Sequence, residues 1–194
     1  MTEYRLFEGD VAYVSTAEFH APRERAPHLE QEDHEPRLRA TAKILTGLPG
    51  AATLTLSDLG CGDGGLLSLV QGSFASVWGY DFCPANLAGA EDRGVKITSL
   101  DVFGADRDQV RCGDVVVMTE VTEHLSDPHG VLRWLRGRCT WLMMSSPFTE
   151  TDAVHVEEHA WAWDEAGYGA MITGAGWEIV TRETVLGYQL VLSR

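Results

Sequence analysis

From residue 53 onward, short apolar runs alternate with stretches of helical character. TLTLSDL (53–59), SVWGYDF (76–82) and VKITSLDVF (95–103) read as strands. DVVVMTE (114–120) and TWLMMSSPF (140–148) are nearly unbroken apolar runs, the pattern of central parallel strands covered on both faces. Between these lie helical segments: GLLSLVQG (65–72), PANLAGAEDRG (84–94), opened by Pro84, and DPHGVLRWLRGR (127–138). AWDEAGYGAMITGAG (162–176) predicts a further helix, with Ala166, Ala170, Met171 and Gly174 as its apolar positions. Two strands, WEIVTRET (177–184) and VLGYQLVLS (185–193), close the chain. A short connection around Thr184 makes them antiparallel neighbours. This order predicts an α/β protein with a doubly wound, Rossmann-like sheet of seven strands, the last one antiparallel.

Residues 1–50 follow another pattern, rich in His, Glu, Arg and Pro. Pro36 suits a first helical turn, and Leu38, Thr41, Ile44, Leu45 and Leu48 recur at helical spacing before Gly47 and the PG pair at 49–50. The expectation is an N-terminal helical cap (1–50) packed on a main domain (51–194).

A chain of 194 residues with 44% hydrophobic and 23% charged content suits a globular protein with a substantial core. No apolar run approaches the roughly 20 residues of a membrane span. The polar, acidic start MTEYRLFEGD has no signal-peptide character, so a cytoplasmic location is expected. Cys61, Cys83, Cys112 and Cys139 are scattered, with no C-x-x-C, which argues against disulfides and a zinc ribbon. Fifteen basic residues against 29 acidic ones give a net charge of −14. Such a surface repels phosphate backbones and makes nucleic acid an unfavourable partner.

The first chemical signal is DLGCGDGGLL (58–67). Gly60, Gly62 and Gly65 form G-x-G-x-x-G between a predicted strand and a predicted helix, the context of a nucleotide-binding turn. Asp81 ends the next strand, where an acid can accept both hydroxyls of an adenosine ribose. So far NAD and S-adenosylmethionine both fit. Asp101, ending the third strand, can accept from an adenine amino group, and Glu120 ends the fourth at the sheet's carboxyl edge. Acids there favour a ligand with a sulfonium and an ammonium over one with a pyrophosphate.

These segments resemble the class I S-adenosylmethionine-dependent methyltransferases. DLGCGDGG is similar to that family's first motif, VWGYDF to its second and SLDVF to its third; VVVMTEVTEHLSDP is similar to the fourth-strand segment and ITGAGWEIV to the helix-to-strand ending. The resemblance covers about residues 50–194 and implies roles for individual residues. Gly60 and Gly62 would lie against the methionine part, with Asp58 fixing the turn near the amino group. Asp81 would hold the ribose, with Phe82 beside the adenine and Asp101 and Val102 at its edge. Thr119 would touch the methionine end through its backbone. Cys61 and Asp63 receive no chemical role. In this family the N-terminal region commonly caps the substrate.

EVTEHL (120–125) places Glu120, Glu123 and His124 on one face of any helical turn that starts there. The three could bind a divalent metal. A similar E-x-x-E-H serves as metal ligands in small-RNA 2′-O-methyltransferases, with a further His that His155 or His159 could supply. Alternatively His124 lies near the acceptor without metal, or the acids only support the loop. HVEEH (155–159) matches a zinc-peptidase pattern, but it lacks the long helix such a site needs; a substrate-facing loop with His155, Glu158 or His159 as candidate bases is expected. Trp161 and Trp163 are expected to pack a helix N-terminus. Methyl transfer needs alignment and one base, and His124, His159 and Glu120 are the candidate catalytic residues. The leading expectation is a methyltransferase acting on an O or N atom of a small molecule, in natural-product or cofactor biosynthesis. The alternatives are a metal-assisted enzyme for RNA ends or protein, and a nucleotide-binding domain without catalysis.

Overall fold

The computed structural model describes residues 3–5, 22, 24, 25 and 27–194 apart from 105 and 152. Most of the first half of the expected cap therefore lies outside the described residues. Its second half is a helix, α1 (Glu35–Thr46), with Pro36 in the first turn, Glu35 at the positive end and Lys43 at the negative end. α1 buries Arg37, Leu38, Thr41, Ala42 and Leu45.

Strand β1 (Glu3–Arg5) precedes it. The main sheet holds β2 (Thr55–Leu59), β3 (Ser76–Asp81), β4 (Ile97–Ser99), β5 (Val115–Thr119), β6 (Trp141–Pro147), β8 (Ile179–Val185) and β9 (Tyr188–Ser193). The strands lie in the order β4-β3-β2-β5-β6-β9-β8. β2 to β6 pair in parallel, and β9 is antiparallel to both β6 and β8. The seven-stranded, doubly wound sheet with its antiparallel end is as the sequence pattern implies. The order reverses between β2 and β5, which opens a crevice at their carboxyl ends.

Helices α2 (Gly65–Val70), α3 (Pro84–Asp92), α4 (Pro128–Leu135) and α5 (Glu165–Gly174) connect the strands. β5 shows why its run is apolar throughout: Val115 and Val117 pack with Leu38, Leu45, Leu67 and Ala90, while Val116 and Met118 pack with Leu132, Tyr168 and Ile172 on the other face. Asp127 and Asp164 cap α4 and α5, accepting from Gly130 N at 2.8 Å and Gly167 N at 2.6 Å.

Three boundaries differ from expectation. The third strand shrinks to β4, because the chain turns at Val102 to Gly104, with Asp101 Oδ1 accepting from Gly104 N. The last helix starts at Glu165, since Trp161–Trp163 form β7 and pair antiparallel with β1 in a two-stranded ribbon. The final hairpin turns at Leu186 and Gly187, not at Thr184; Val185 and Tyr188 still face each other in the ladder.

Candidate active site

A cavity of about 900 Å³ opens at the carboxyl ends of β2, β3 and β5. Its floor is the glycine turn. Gly60 and Gly62 have φ of 78° and 57°, a region where a side chain is disfavoured. A Cβ on Gly60 would also stand 2.9 Å from a Val121 methyl. The turn is stitched to β3: Gly60 N and Cys61 N donate to Tyr80 O at 2.9 and 3.0 Å, and Gly62 N donates to Asp81 Oδ2 at 2.9 Å. Asp81 Oδ1 accepts from Cys83 N and from Asn86 Nδ2. Asp81 thus holds the turn and the start of α3 while lining the cavity.

Asp58 lies beneath the turn, 1% exposed, and its Oδ1 has no protein partner. Burial, reinforced by the charge of Asp81, pushes its pKa up to about 7, against the opposing pull of Arg37. Gly60, Gly62, Phe82, Val102 and Thr119 also line the cavity. Asp101 is not among the lining residues; its carboxylate accepts from Gly104 N at 3.0 Å in the turn after β4.

The other half of the cavity is built by the turn after β5 and the loop after β6. Glu120, with φ of 56°, lines the wall and accepts a 2.7 Å hydrogen bond from Ser145 Oγ. The next residues form a 3₁₀ turn (Thr122–His124), so Glu120 and Glu123 do not share the helical face the spacing suggested. Glu123 is fully buried behind the wall and its Oε1 has no partner. Burial, with the nearby Glu120 charge, holds its pKa well above the carboxylate range; burial likewise raises that of Glu120.

His124 and His159 meet edge to face, with ring centroids 4.7 Å apart. His124 Nδ1 lies 3.1 Å from Glu158 O, and Ala160 N donates to Glu123 O at 2.7 Å, so turn and loop hold each other. His159 Nδ1 lies 2.6 Å from Glu150 Oε2. Glu150 Oε1 accepts from Val156 N at 3.0 Å. Burial, the largest single influence, would raise the Glu150 pKa, but the hydrogen bonds from His159 and Val156 N and the nearby His159 and His155 together outweigh it and hold the carboxyl below its ordinary range. An ionised carboxylate and a carbonyl can only accept, so both imidazoles carry a proton on Nδ1. Ligand atoms of Glu123, His124 and His159 lie within 4.8 Å of one another; Glu120 does not belong to this set. His155 is outside the cavity wall, with Nδ1 on Thr151 O at 3.1 Å. Trp161 and Trp163 stack in the β1–β7 ribbon at 5.9 Å, and neither lines the cavity.

A protein-family model described as a methyltransferase domain matches residues 29–181. The chain belongs to this family. No curated protein matches this methyltransferase at the level of sequence. Among solved structures it is similar to DhpI in complex with SAH, at 16% identity and a TM-score of 0.70, covering 94% of this chain and 96% of that one. It is also similar to magnesium protoporphyrin IX methyltransferase from Synechocystis PCC 6803 with bound SAH, at 13% identity and a TM-score of 0.68, over 94% and 96% of the two chains. An O-methyltransferase family protein from Burkholderia thailandensis matches at 17% identity and a TM-score of 0.63 over 84% of this chain, which spans 57% of that protein. The fold is that of the S-adenosylmethionine-dependent methyltransferases.

Several residues of the site had no role in the sequence reading. Arg37 is 1% exposed, its Nε and Nη1 lack partners, and its guanidinium stands 5.1 Å over the Tyr188 ring. Its charge pulls down the pKa of Asp58, Glu120 and Glu123 against the dominant effect of their burial. The signal was an arginine within the apolar stripe of α1. Tyr188 OH lies 3.3 Å from His34 Nδ1, and both residues line the cavity with His28. Burial, then the neighbouring His34 and Arg37, lowers His28 to about 4. Glu150 gave no signal, because its partner is set by the folded path of the loop.

Proposed function

We propose that this chain transfers a methyl group from S-adenosylmethionine to an oxygen or nitrogen atom of a small molecule. The observation that carries the reading is Asp58: a fully buried carboxylate with an unpartnered oxygen, in the cavity wall directly under the glycine turn. A cation compensates such a group, whereas a pyrophosphate would be repelled by it and by Asp81. Arg37 does not itself line the cavity, but it is buried close to Asp58 with unpartnered donors of its own and supplies the opposite charge. The pair suits the ammonium and carboxylate of an amino acid, the methionine end of the cofactor. Asp81 would hold the ribose, and Phe82 and Val102 would pack against the adenine.

The cofactor supplies an electrophilic methyl group when bound. The chain's task is to align the acceptor and remove its proton. With Nδ1 protonated and held by Glu150, a neutral His159 ring presents its basic nitrogen as Nε2. Calorimetry with S-adenosylhomocysteine and with NAD tests the cofactor assignment. Tight binding of the first and none of the second is expected; the reverse would sink it.

A second reading uses a metal. Glu123, His124 and His159 offer one carboxylate and two imidazoles at mutual distances of 4.8 Å or less, a donor set that suits a divalent transition ion. Glu150 and the Glu158 carbonyl would orient the two rings from behind, as partners of metal-bound histidines do. Such an ion would lower the pKa of an acceptor hydroxyl. Turnover abolished by chelator and restored by added metal would favour this reading over the metal-free base.

A further inference from the structure

Two non-glycine residues among those described have positive φ, Glu120 at 56° and Leu186 at 54°, and both line the cavity. Glu120 makes the sharp exit from β5. Leu186 is harder to account for. It is the first of the two residues that turn β8 into β9, where the positive φ ordinarily calls for glycine, yet the glycine comes second, at Gly187. A leucine there sets its Cβ against the backbone. Its side chain gains no burial in return, being 63% exposed.

Val156 belongs to the loop after β6. It also lines the cavity and is 49% exposed. Its position is fixed, because Val156 N donates to Glu150 Oε1 at 3.0 Å. The loop is also tied to the Leu186 turn, since Phe148 N donates to Gly187 O at 3.1 Å. Of the four exposed large apolar side chains among the described residues, Val154, Val156, Val180 and Leu186, two border this cavity. The same wall carries His124, Glu150, His159 and Tyr188. It therefore combines polar groups suited to an acceptor's reactive atom with apolar side chains left open to water.

We propose that Leu186 and Val156 form an apolar lip that determines acceptor specificity. The acceptor is then an amphiphile, with a hydroxyl or amine at the histidines and an alkyl or aryl body resting on the lip. This rests on the methyltransferase reading of the cavity and adds the substrate class to it. The lip explains why a strained, water-exposed leucine occupies a glycine position: the cost is recovered when the acceptor covers it.

The test uses the protein saturated with S-adenosylhomocysteine and titrated calorimetrically with 4-alkylphenols, from methyl to pentyl. Affinity should rise about fourfold per added methylene, the ~0.8 kcal/mol of a buried CH₂. In Leu186→Gly and in Val156→Thr the rise should flatten. The thermal midpoint of Leu186→Gly should stay level or increase, because glycine accepts the positive φ. A purely structural leucine would give the opposite pattern, with lower stability and an unchanged slope. Affinity independent of chain length in the unmodified protein overturns the lip, as does an equal slope in both variants. A dimer in sedimentation that Leu186→Gly dissolves also overturns it, since a second copy would then cover the patch. Loss of S-adenosylhomocysteine binding is a separate failure, that of the cofactor reading.

Discussion

The two halves of the cavity are assembled by different means. Under the glycine turn, the key bonds run between adjacent parallel strands: Gly60 N and Cys61 N to Tyr80 O, and Gly62 N to Asp81. Sheet topology delivers those groups wherever the strands end. The other half is stitched from distant segments, by His124 on Glu158 O, His159 on Glu150, Ala160 on Glu123 O and Tyr188 on His34. There, loop paths decide which side chains meet. The difference teaches that the first half is a general device for one ligand and the second an individual one. Substitutions should divide along the same line.

The largest effect should come from His159. His159→Ala should slow methyl transfer by roughly 10²-fold or more, the usual loss on removing a general base. S-adenosylhomocysteine affinity should change little, because the ring belongs to the other half. Chelator sharpens the result. A metal-free base leaves turnover intact in chelator, while the metal-assisted enzyme loses it. Single-turnover rates with and without chelator, beside calorimetry, decide. Full activity in both His124→Ala and His159→Ala would make the cluster structural.

Next comes Asp81→Ala, which should weaken S-adenosylhomocysteine by roughly 1.5–3 kcal/mol, the range for hydrogen bonds to a charged group. The substitution also frees Gly62 N and Cys83 N, so turn and ribose contacts fall together. Asp81→Asn, which keeps an acceptor oxygen, should recover part of the loss. An affinity unchanged in both variants would place the ribose elsewhere.

Near neutral pH a smaller effect follows from Asp58. Its pKa rises from 3.8 unfolded to about 7 folded, so between those values the native state holds a proton that the unfolded chain lacks. Its contribution to stability is therefore fully present below about 4 and is lost as pH rises through about 7. A cofactor ammonium beside it favours the ionised form. Binding should then release a proton below pH 7, and affinity should climb by up to about tenfold per pH unit until it levels near 7. Calorimetry in buffers of different ionisation enthalpy measures the proton directly. Asp58→Asn should abolish the release; its persistence would assign the proton to another group.

Much of the fold could be read in advance, because the burial of β5 and β6 on both faces writes itself as apolar runs, and Asp127 and Pro128 mark a helix start. β7 could not be foreseen: WAW gives no period, and it becomes a strand only by pairing with Glu3–Arg5. In the site, the glycine turn was legible because positive φ at Gly60 and Gly62 selects their residue type, and Asp58 was singled out by its place just ahead of that turn. Glu150 and Tyr188 were not, since nothing near them in the chain states what they will touch. Glu120 and Glu123 misled in a specific way. Their spacing assumes a full helical turn, whereas the chain leaves β5 through a positive φ and a 3₁₀ turn, which puts Glu120 on the cavity wall and Glu123 behind it.

Asp101 gives the smallest expected effect and the sharpest check on the boundary between the halves. By analogy with Asp58 and Asp81, an acid ending the third strand should reach the adenine. In the folded chain β4 stops at Ser99, and the carboxylate turns back to Gly104 N at 3.0 Å, outside the cavity that Leu100, Val102 and Phe103 line. The adenine would then meet an apolar wall at this strand end, with no carboxylate. Asp101→Asn keeps an oxygen for Gly104 N and should leave S-adenosylhomocysteine affinity within about 0.5 kcal/mol, as substitutions away from a ligand do. Asp101→Ala removes the turn's acceptor and should lower the thermal midpoint by a few degrees, again with little change in affinity. A loss of tenfold or more in both variants, at unchanged stability, would mean that the turn opens when cofactor binds and that the acid swings onto the adenine edge. The cofactor half would then be one that the ligand reshapes, and its contrast with the loop-built half would no longer hold.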